Sequence, residues 1–213
     1  MMWPRSRSRE VGSFSTSALR RALEAGEYSG WDDARMPTVR ALRRRGIRPE
    51  ALRKFMVELG VGETDISISM DSVYAENRKI VDPMAKRRFF VKDPHPLEID
   101  GDVPEVAKAP FHPTLDLGLR EIPAGPRVLV SADDLSDLKV GGSLRLKDLC
   151  NIEVVATAPL RARAIGTDPH QAKEMRLRII HWAPPAGVPV RVMRPDGVDA
   201  GIGEAGIRED EGK

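Results

Sequence analysis

Along the first third of the chain, apolar residues recur at intervals of three and four. In "RPEALRKFMVELG", Leu52, Phe55, Met56 and Leu59 form one stripe, which predicts an amphipathic helix. Pro49 opens it, where the missing N–H costs no hydrogen bond, and Gly60 closes it. The same punctuation occurs twice upstream. "SALRRALEAG" has Ser17 as N-cap and Gly26 as stop, and "MPTVRALRRRG" has Pro37 at the start and Gly46 past the end. A fourth helix, "SMDSVYAENRKIVDP", is capped by Ser69 and followed by Pro83.

Near residue 85 the pattern changes. "RRFFVKD", "PLEID", "RVLVSADD", "SLRLKDLCNIEVVATA", "RARAIG", "EMRLRIIHW" and "VPVRVMRPDG" are short, rich in Val, Ile, Leu and Arg, and separated by Pro, Gly or Asp. Several alternate. Val188, Val190 and Val192 share a face, and Met175, Leu177 and Ile179 lie opposite Arg176 and Arg178. Many short strands with turn signals predict an antiparallel β-barrel or sandwich. The fold class expected is therefore α+β, a helical module followed by an antiparallel β-barrel, with the presence of its last strands left open. The organisation expected is a basic arm over residues 1–13, helices over 14–85, the barrel over 86–200 and a polar tail over 201–213.

Charge sharpens this picture. The formal net charge is only +2, but Arg35–Lys54 holds eight basic residues (Arg35, Arg40, Arg43, Arg44, Arg45, Arg48, Arg53, Lys54) against one acid, Glu50. Such a block fits either a phosphate-rich partner or a solvated helix face. Aromatic residues make up 5% of the chain, which argues against base stacking on aromatic platforms as the main binding mode. Cys150 is the one cysteine and lies in an apolar run, so it reads as a buried structural thiol, with no disulfide and no zinc spacing. No apolar run approaches membrane length, and "MMWPRSRSRE" lacks the apolar core of a secretory signal. A cytoplasmic protein with no membrane partner follows by default.

Several apparent motifs lack their context. "GIGEAG" (Gly201, Gly203, Gly206) has the dinucleotide-binding spacing, but only seven residues follow it, too few for the helix that motif needs, so a flexible tail is expected. His95, His112, His170 and His181 are scattered without metal-ligand spacing, and turn roles are expected for them. Ser15, Thr16 and Ser17 offer three hydroxyls ahead of a helix, as a phosphate-handling loop would, yet Ala18 follows where a cation would be useful. Trp31, Asp32 and Asp33 read as structural, the carboxylates capping the next helix or holding Arg35.

Residues 12–85, through "EAGEYSGWDDARMPTVRALRRRGIRPEALRKFMVELGVGETDISISMDSVYAENRKIVDP", resemble the segment after the catalytic domain in the archaeal type of glutamyl-tRNA synthetase, a class I synthetase. The likeness continues through "FFVKDP", "AKAPFHPTLDLGLREIP", "VSADDLSDLKVGGSLRLKDLCNIEV", "IIHWAP" and "VRVMRPDG", and spans roughly residues 12–200. It implies that Ser15, Thr16, Ser17 and Ala18 are the remnant of a KMSKS-type loop. In the family a lysine, a point charge for the ATP phosphates, stands where Ala18 does. No H-I-G-H-type motif precedes it. The resemblance further implies that the helical module lies along the inside of the tRNA through Arg40, Arg43, Arg44, Arg45 and Arg48, and that the barrel grips the anticodon loop. Candidates there are Arg87, Arg88, Arg161, Arg163, Arg176 and Arg178. The partner implied is a glutamate-specific tRNA, with glutamine-specific tRNA also open, and a catalytic half supplied in cis or in trans. ATP is the cofactor of the complete family enzyme, and none is expected for this chain. A non-enzymatic tRNA-binding module derived from such a synthetase is the alternative.

Overall fold

The computed structural model describes residues 15–60 and 70–210. The basic arm and Ser69 lie outside the described residues. Four helices come first: α1 (Thr16–Glu24), α2 (Val39–Arg44), α3 (Pro49–Leu59) and α4 (Met70–Val81). α1 starts earlier than its pattern predicts. Ser15, in extended conformation, is the N-cap and accepts the Ala18 N–H at 3.1 Å, which draws Ser17 into the first turn. α2 starts later than expected. Thr38 caps it by accepting the Ala41 N–H at 3.0 Å, so Pro37 precedes the cap instead of opening the helix.

α3 and α4 pack together around Ile47, Phe55 and Val73, with Leu42, Leu52, Leu59 and Tyr74 at the margin. Asn77 on α4 ties down the bend between α2 and α3. Its carbonyl oxygen accepts the Arg48 N–H at 2.8 Å and its amide donates to the Gly46 carbonyl at 3.1 Å. The bend is therefore fixed by a side chain 31 residues downstream.

The β part contains β1 (Phe90–Lys92), β2 (Pro94–Asp100), β3 (Val106–Pro110), β4 (Leu119–Pro123), β5 (Arg127–Ser131), β6 (Ser143–Leu146), β7 (Asn151–Thr157), β8 (Leu160–Gly166), β9 (Arg178–Ile180), β10 (Val188–Arg194) and β11 (Gly197–Gly203). Two short helices interrupt them, α5 (Ala132–Leu135) and α6 (Pro169–Glu174). The main sheet has the order β5-β2-β8-β7-β6-β9. It is mixed rather than purely antiparallel, because β2 with β8 and β6 with β9 run parallel. Its two edges meet. Just beyond β9, Ala183 exchanges both backbone hydrogen bonds with Leu129 of β5, at 2.8 and 2.9 Å. This single bridge draws the sheet into a curl and covers part of the β5 edge, which limits the invitation to edge-to-edge association there. Inside lie Leu97, Ile99, Val128, Val130, Leu144, Leu146, Ile152, Val154, Ala162 and Trp182. Cys150 sits among them, and burial pushes its thiol up to about 11.

Two further expectations are corrected. "EMRLRII" is not one strand. Met175 caps α6, Arg176 takes a left-handed backbone (φ 53°), and β9 starts only at Arg178. Residues 201–210 are not a loose polar tail either. β11 pairs along its length with β10 and, at its end, with β1, and a 3-10 helix follows over Ala205–Asp210. The glycines of "GIGEAG" therefore serve close approach of chain segments. A Cβ on Gly201 would overlap the Val91 carbonyl oxygen of β1, and one on Gly206 would overlap the Arg88 guanidinium.

Immediately after β11, Glu204 is buried. Its carboxylate accepts from Arg120 Nε at 2.7 and 3.0 Å, from the Phe89 N–H at 3.2 Å and from Arg88 Nη1 at 3.5 Å. Arg120 also donates to the Pro110 carbonyl at 2.6 Å and lies 5.0 Å from the Phe89 ring centre. The site joins the β3–β4 hairpin, the entry to β1 and the chain end. Removing one partner of a buried ion pair leaves the other charge unmatched. Glu204→Ala should therefore lower the unfolding free energy by about 3–5 kcal/mol, read from chemical denaturation. A loss within error of zero would show that Arg120 finds solvent or another partner.

Candidate nucleic-acid interface

The helical module owes its shape to a buried carboxylate. Asp33 is 1% exposed and accepts the backbone N–H of Ser29 and of Arg35, both at 3.0 Å, and the Ser29 hydroxyl at 3.1 Å. The Arg35 guanidinium grips both its oxygens, at 2.9 and 2.7 Å. That charge-assisted pair holds the Asp33 carboxyl well below the usual carboxylate range, outweighing the opposing effect of burial. Arg35 also donates to the Glu27 carbonyl and lies over the Tyr28 ring, 5.0 Å from its centre. The expected structural role of Asp33 is thus visible, and it removes Arg35 from the basic block as a free charge.

The remaining arginines divide sharply. Arg40 and Arg43, one turn apart on α2, are exposed and their side chains make no hydrogen bond or ion pair among the described residues, and the same holds for the side chains of Arg48 and Arg53. Arg44, grouped with Arg40 and Arg43 by spacing, differs. It faces Asp32 at 3.3 Å and reaches Met193 Sδ at 3.8 Å, touching the β10–β11 hairpin. Arg45 turns inward and donates to the Tyr74 hydroxyl at 3.0 Å. Beside the unpaired arginines, Trp31, Thr38, Val39 and Arg40 line an open groove of about 390 Å³.

Most arginine candidates of the β part are engaged. Arg87 pairs with Asp82 at 2.6 Å, Arg161 with Asp100 at 3.0 Å, and Arg163 with Glu153 at 2.7 Å. Arg178 pairs with Asp134, and Arg88 is held by Glu204 and Glu209. Arg176 alone of the six is exposed without such a partner among the described residues. Sequence spacing could not separate these cases, because each carboxylate partner except that of Arg87 lies ten or more residues away. The central Arg120 was not singled out from the sequence, and its alternation with Ile122 inside a short strand was the only available signal.

Ser15, Thr16, Ser17 and Ala18 are exposed, and they form the cap and first turn of α1 rather than an open loop. Ser15 Oγ lies 3.0 Å from Ser17 Oγ, so two of the three hydroxyls satisfy each other. His112 fills a turn role, its Nδ1 accepting the N–H groups of Thr114 at 3.2 Å and Leu115 at 3.0 Å. Among the described residues no three His, Cys, Asp or Glu side chains gather as a metal site requires, and no helix is long and apolar enough to cross a membrane.

A helical module with unpaired arginines, joined to a curled β part, is a surface suited to a polyanion, and the sequence comparisons place it among the class I aminoacyl-tRNA synthetases. Residues 85–163 match the anti-codon binding domain of the class I (E and Q) tRNA synthetases, and residues 13–83 match the catalytic domain of the same group. The chain belongs to this glutamate and glutamine family. Its helical module, set after the catalytic domain by resemblance, falls within the stretch that the family counts with that domain. The chain is 64% identical over 208 residues to a glutamate–tRNA ligase of Methanothrix thermoacetophila, covering 98% of this chain and 37% of the relative. A glutamate–tRNA ligase of Methanosarcina mazei is 57% identical over 96% of this chain and 36% of its own length, and one of Pyrococcus abyssi is 44% identical over 86% and 33%. The chain thus spans about a third of the length of these relatives, and the match to the first takes in part of both terminal stretches.

Asp33 carries a testable pH dependence. Its folded carboxyl is depressed, so its stabilisation is complete above the unfolded value of about 4 and is lost as pH falls toward the folded one. Asp33→Asn should cost about 2 kcal/mol at neutral pH and should narrow its gap to wild type as the solution is acidified. Thermal unfolding of both proteins across an acid series measures this. A gap that stays constant with pH would rule out the ionised pair as its source.

Proposed function

We propose that this chain is the tRNA-binding portion of a glutamate–tRNA ligase acting in the cytoplasm. The α2–α3 arginines meet the sugar–phosphate backbone and the barrel meets the anticodon loop. The observation that carries the reading is the set of unpaired, exposed guanidinium groups at Arg40, Arg43, Arg48 and Arg53, on a chain whose next segment matches an anticodon-binding domain. Ten other arginines among the described residues face carboxylates, whereas these charges are available to phosphates without a competing acid. Their contacts would position the tRNA, and contacts from the barrel would select it. A glutamate-specific tRNA is the partner the relatives' names favour, with a glutamine-specific tRNA as the second substrate to test.

If about four to six phosphates are neutralised, log affinity for tRNA should fall with log salt at a slope of about −3 to −5. Replacing Arg40, Arg43 and Arg48 together with Ala should flatten that slope by about two to three units and weaken all tRNAs alike. Equal slopes for the two proteins would mean that the arginines form only a solvated face.

Aminoacylation also needs amino-acid activation, and the 213 residues contain neither an H-I-G-H-type motif nor a lysine at position 18. The chain by itself should leave glutamate-dependent ATP–pyrophosphate exchange at background, and clear exchange by the pure chain would overturn this part of the reading.

A further inference from the structure

Three helices of this protein end in one and the same hydrogen-bond pattern. At the end of α1, Gly26 N–H donates to the Leu23 carbonyl and Glu27 N–H to the Ala22 carbonyl, each at 3.0 Å. At the end of α2, Gly46 N–H donates to Arg43 and Ile47 N–H to Leu42, again at 3.0 Å. At the end of α6, Arg176 N–H donates to Lys173 at 3.1 Å and Leu177 N–H to Ala172 at 2.9 Å. Each pattern needs one residue in the left-handed region, and its φ is 76° at Gly26, 79° at Gly46 and 53° at Arg176. Glycine suits this position because it has no Cβ to crowd the following carbonyl. Arginine has no such freedom, and unlike Asp or Asn it has no short polar side chain to favour the region locally.

The favourable interaction of a cation with a helix C-terminus does not account for the choice. α6 has six residues and already carries Lys173 in its last turn. Packing does not account for it either, since Arg176 is exposed and its side chain makes no hydrogen bond or ion pair among the described residues. Its backbone is nonetheless held firmly. Buried Arg145 donates to Asn151 Oδ1 at 2.7 Å and to the Thr167 carbonyl at 3.1 Å. Buried Asn151 donates to the Asp168 carbonyl at 3.0 Å and to Gln171 Oε1 at 3.2 Å, and Asp168 caps α6 by accepting the His170 N–H at 2.8 Å. A fully bonded internal network thus fixes the short helix whose end presents a strained, unpartnered guanidinium.

We propose that Arg176 is a nucleotide-contacting residue of the barrel, its planar guanidinium stacking on or hydrogen-bonding to an unpaired nucleotide of a single-stranded RNA loop. The assignment rests on the tRNA-binding reading above. It separates Arg176 from Arg161, Arg163 and Arg178, which would have to leave their carboxylates to do the same work.

The backbone geometry makes the test clean, because glycine and asparagine both accept the left-handed conformation. Arg176→Gly and Arg176→Asn, made in the full 213-residue chain, should each weaken tRNA binding about tenfold at one fixed salt concentration, the scale of a good guanidinium–base contact. Their melting temperatures should stay within about 2 °C of wild type or rise. Wild-type affinity in both variants overturns the assignment and leaves the tRNA-binding reading standing. Weaker binding accompanied by a fall in melting temperature of more than about 4 °C overturns it in favour of a structural role. If the wild-type chain itself shows no affinity for tRNA, the reading and the assignment fall together.

Discussion

The carboxylate of Glu204 lies 4% exposed among three cationic or amide donors drawn from distant parts of the chain: Arg120, Arg88 and the Phe89 backbone. In a low-dielectric interior an unmatched charge would cost several kcal/mol, so each of these groups can be buried only because the others are there. The consequence is topological. β11 must run beside β1 for Glu204 to reach Phe89, the β3–β4 hairpin must turn its Arg120 inward, and the glycines of β11 must stay bare for the strands to come close. The last segment of the described chain is thus bound into the structure by a polar constraint, whereas the six-stranded sheet beside it rests mainly on apolar burial, with the Arg145–Asn151 bonds at one end.

The same electrostatic logic sorts the surface. An exposed ion pair contributes about 0–1 kcal/mol, so the pairs made by Arg161, Arg163 and Arg178 say little about stability. They say more about availability, because a phosphate or a base edge must displace a carboxylate to use those arginines. On α2 and α3 no acid stands against Arg40, Arg43, Arg48 or Arg53 among the described residues. Asp33 contributes indirectly, taking Arg35 into a buried pair and fixing the loop that leads into α2. Asn77 then sets the angle between α2 and α3. The unpaired charges are therefore carried on a scaffold whose bends are fixed by bonded polar side chains.

Much of this organisation is legible in the amino-acid order because it follows from local rules. The change from a period near 3.6 to alternation near residue 85 separates helices from strands. Gly26 and Gly46 announce helix ends, and the basic block at Arg35–Lys54 marks the charged face. Local reasoning misplaced the start of α1 because three successive hydroxyls can each serve as a cap, and only the geometry shows that Ser15 does so. It read "EMRLRII" as a strand because alternation in a short run cannot reveal a helix end that uses Arg176 in place of glycine.

The class of fold, the location of the positive charge and the family of the chain follow from amino-acid order, because all are properties of local pattern or of extended similarity. Which arginines are free is set by the packed fold. That depends on carboxylates brought near from far along the chain, as Asp100 is to Arg161 and Glu204 to Arg120. The packed fold also makes "GIGEAG" a strand and its buried anchor rather than a tail, since pairing is a relation between segments and leaves little mark on either one alone.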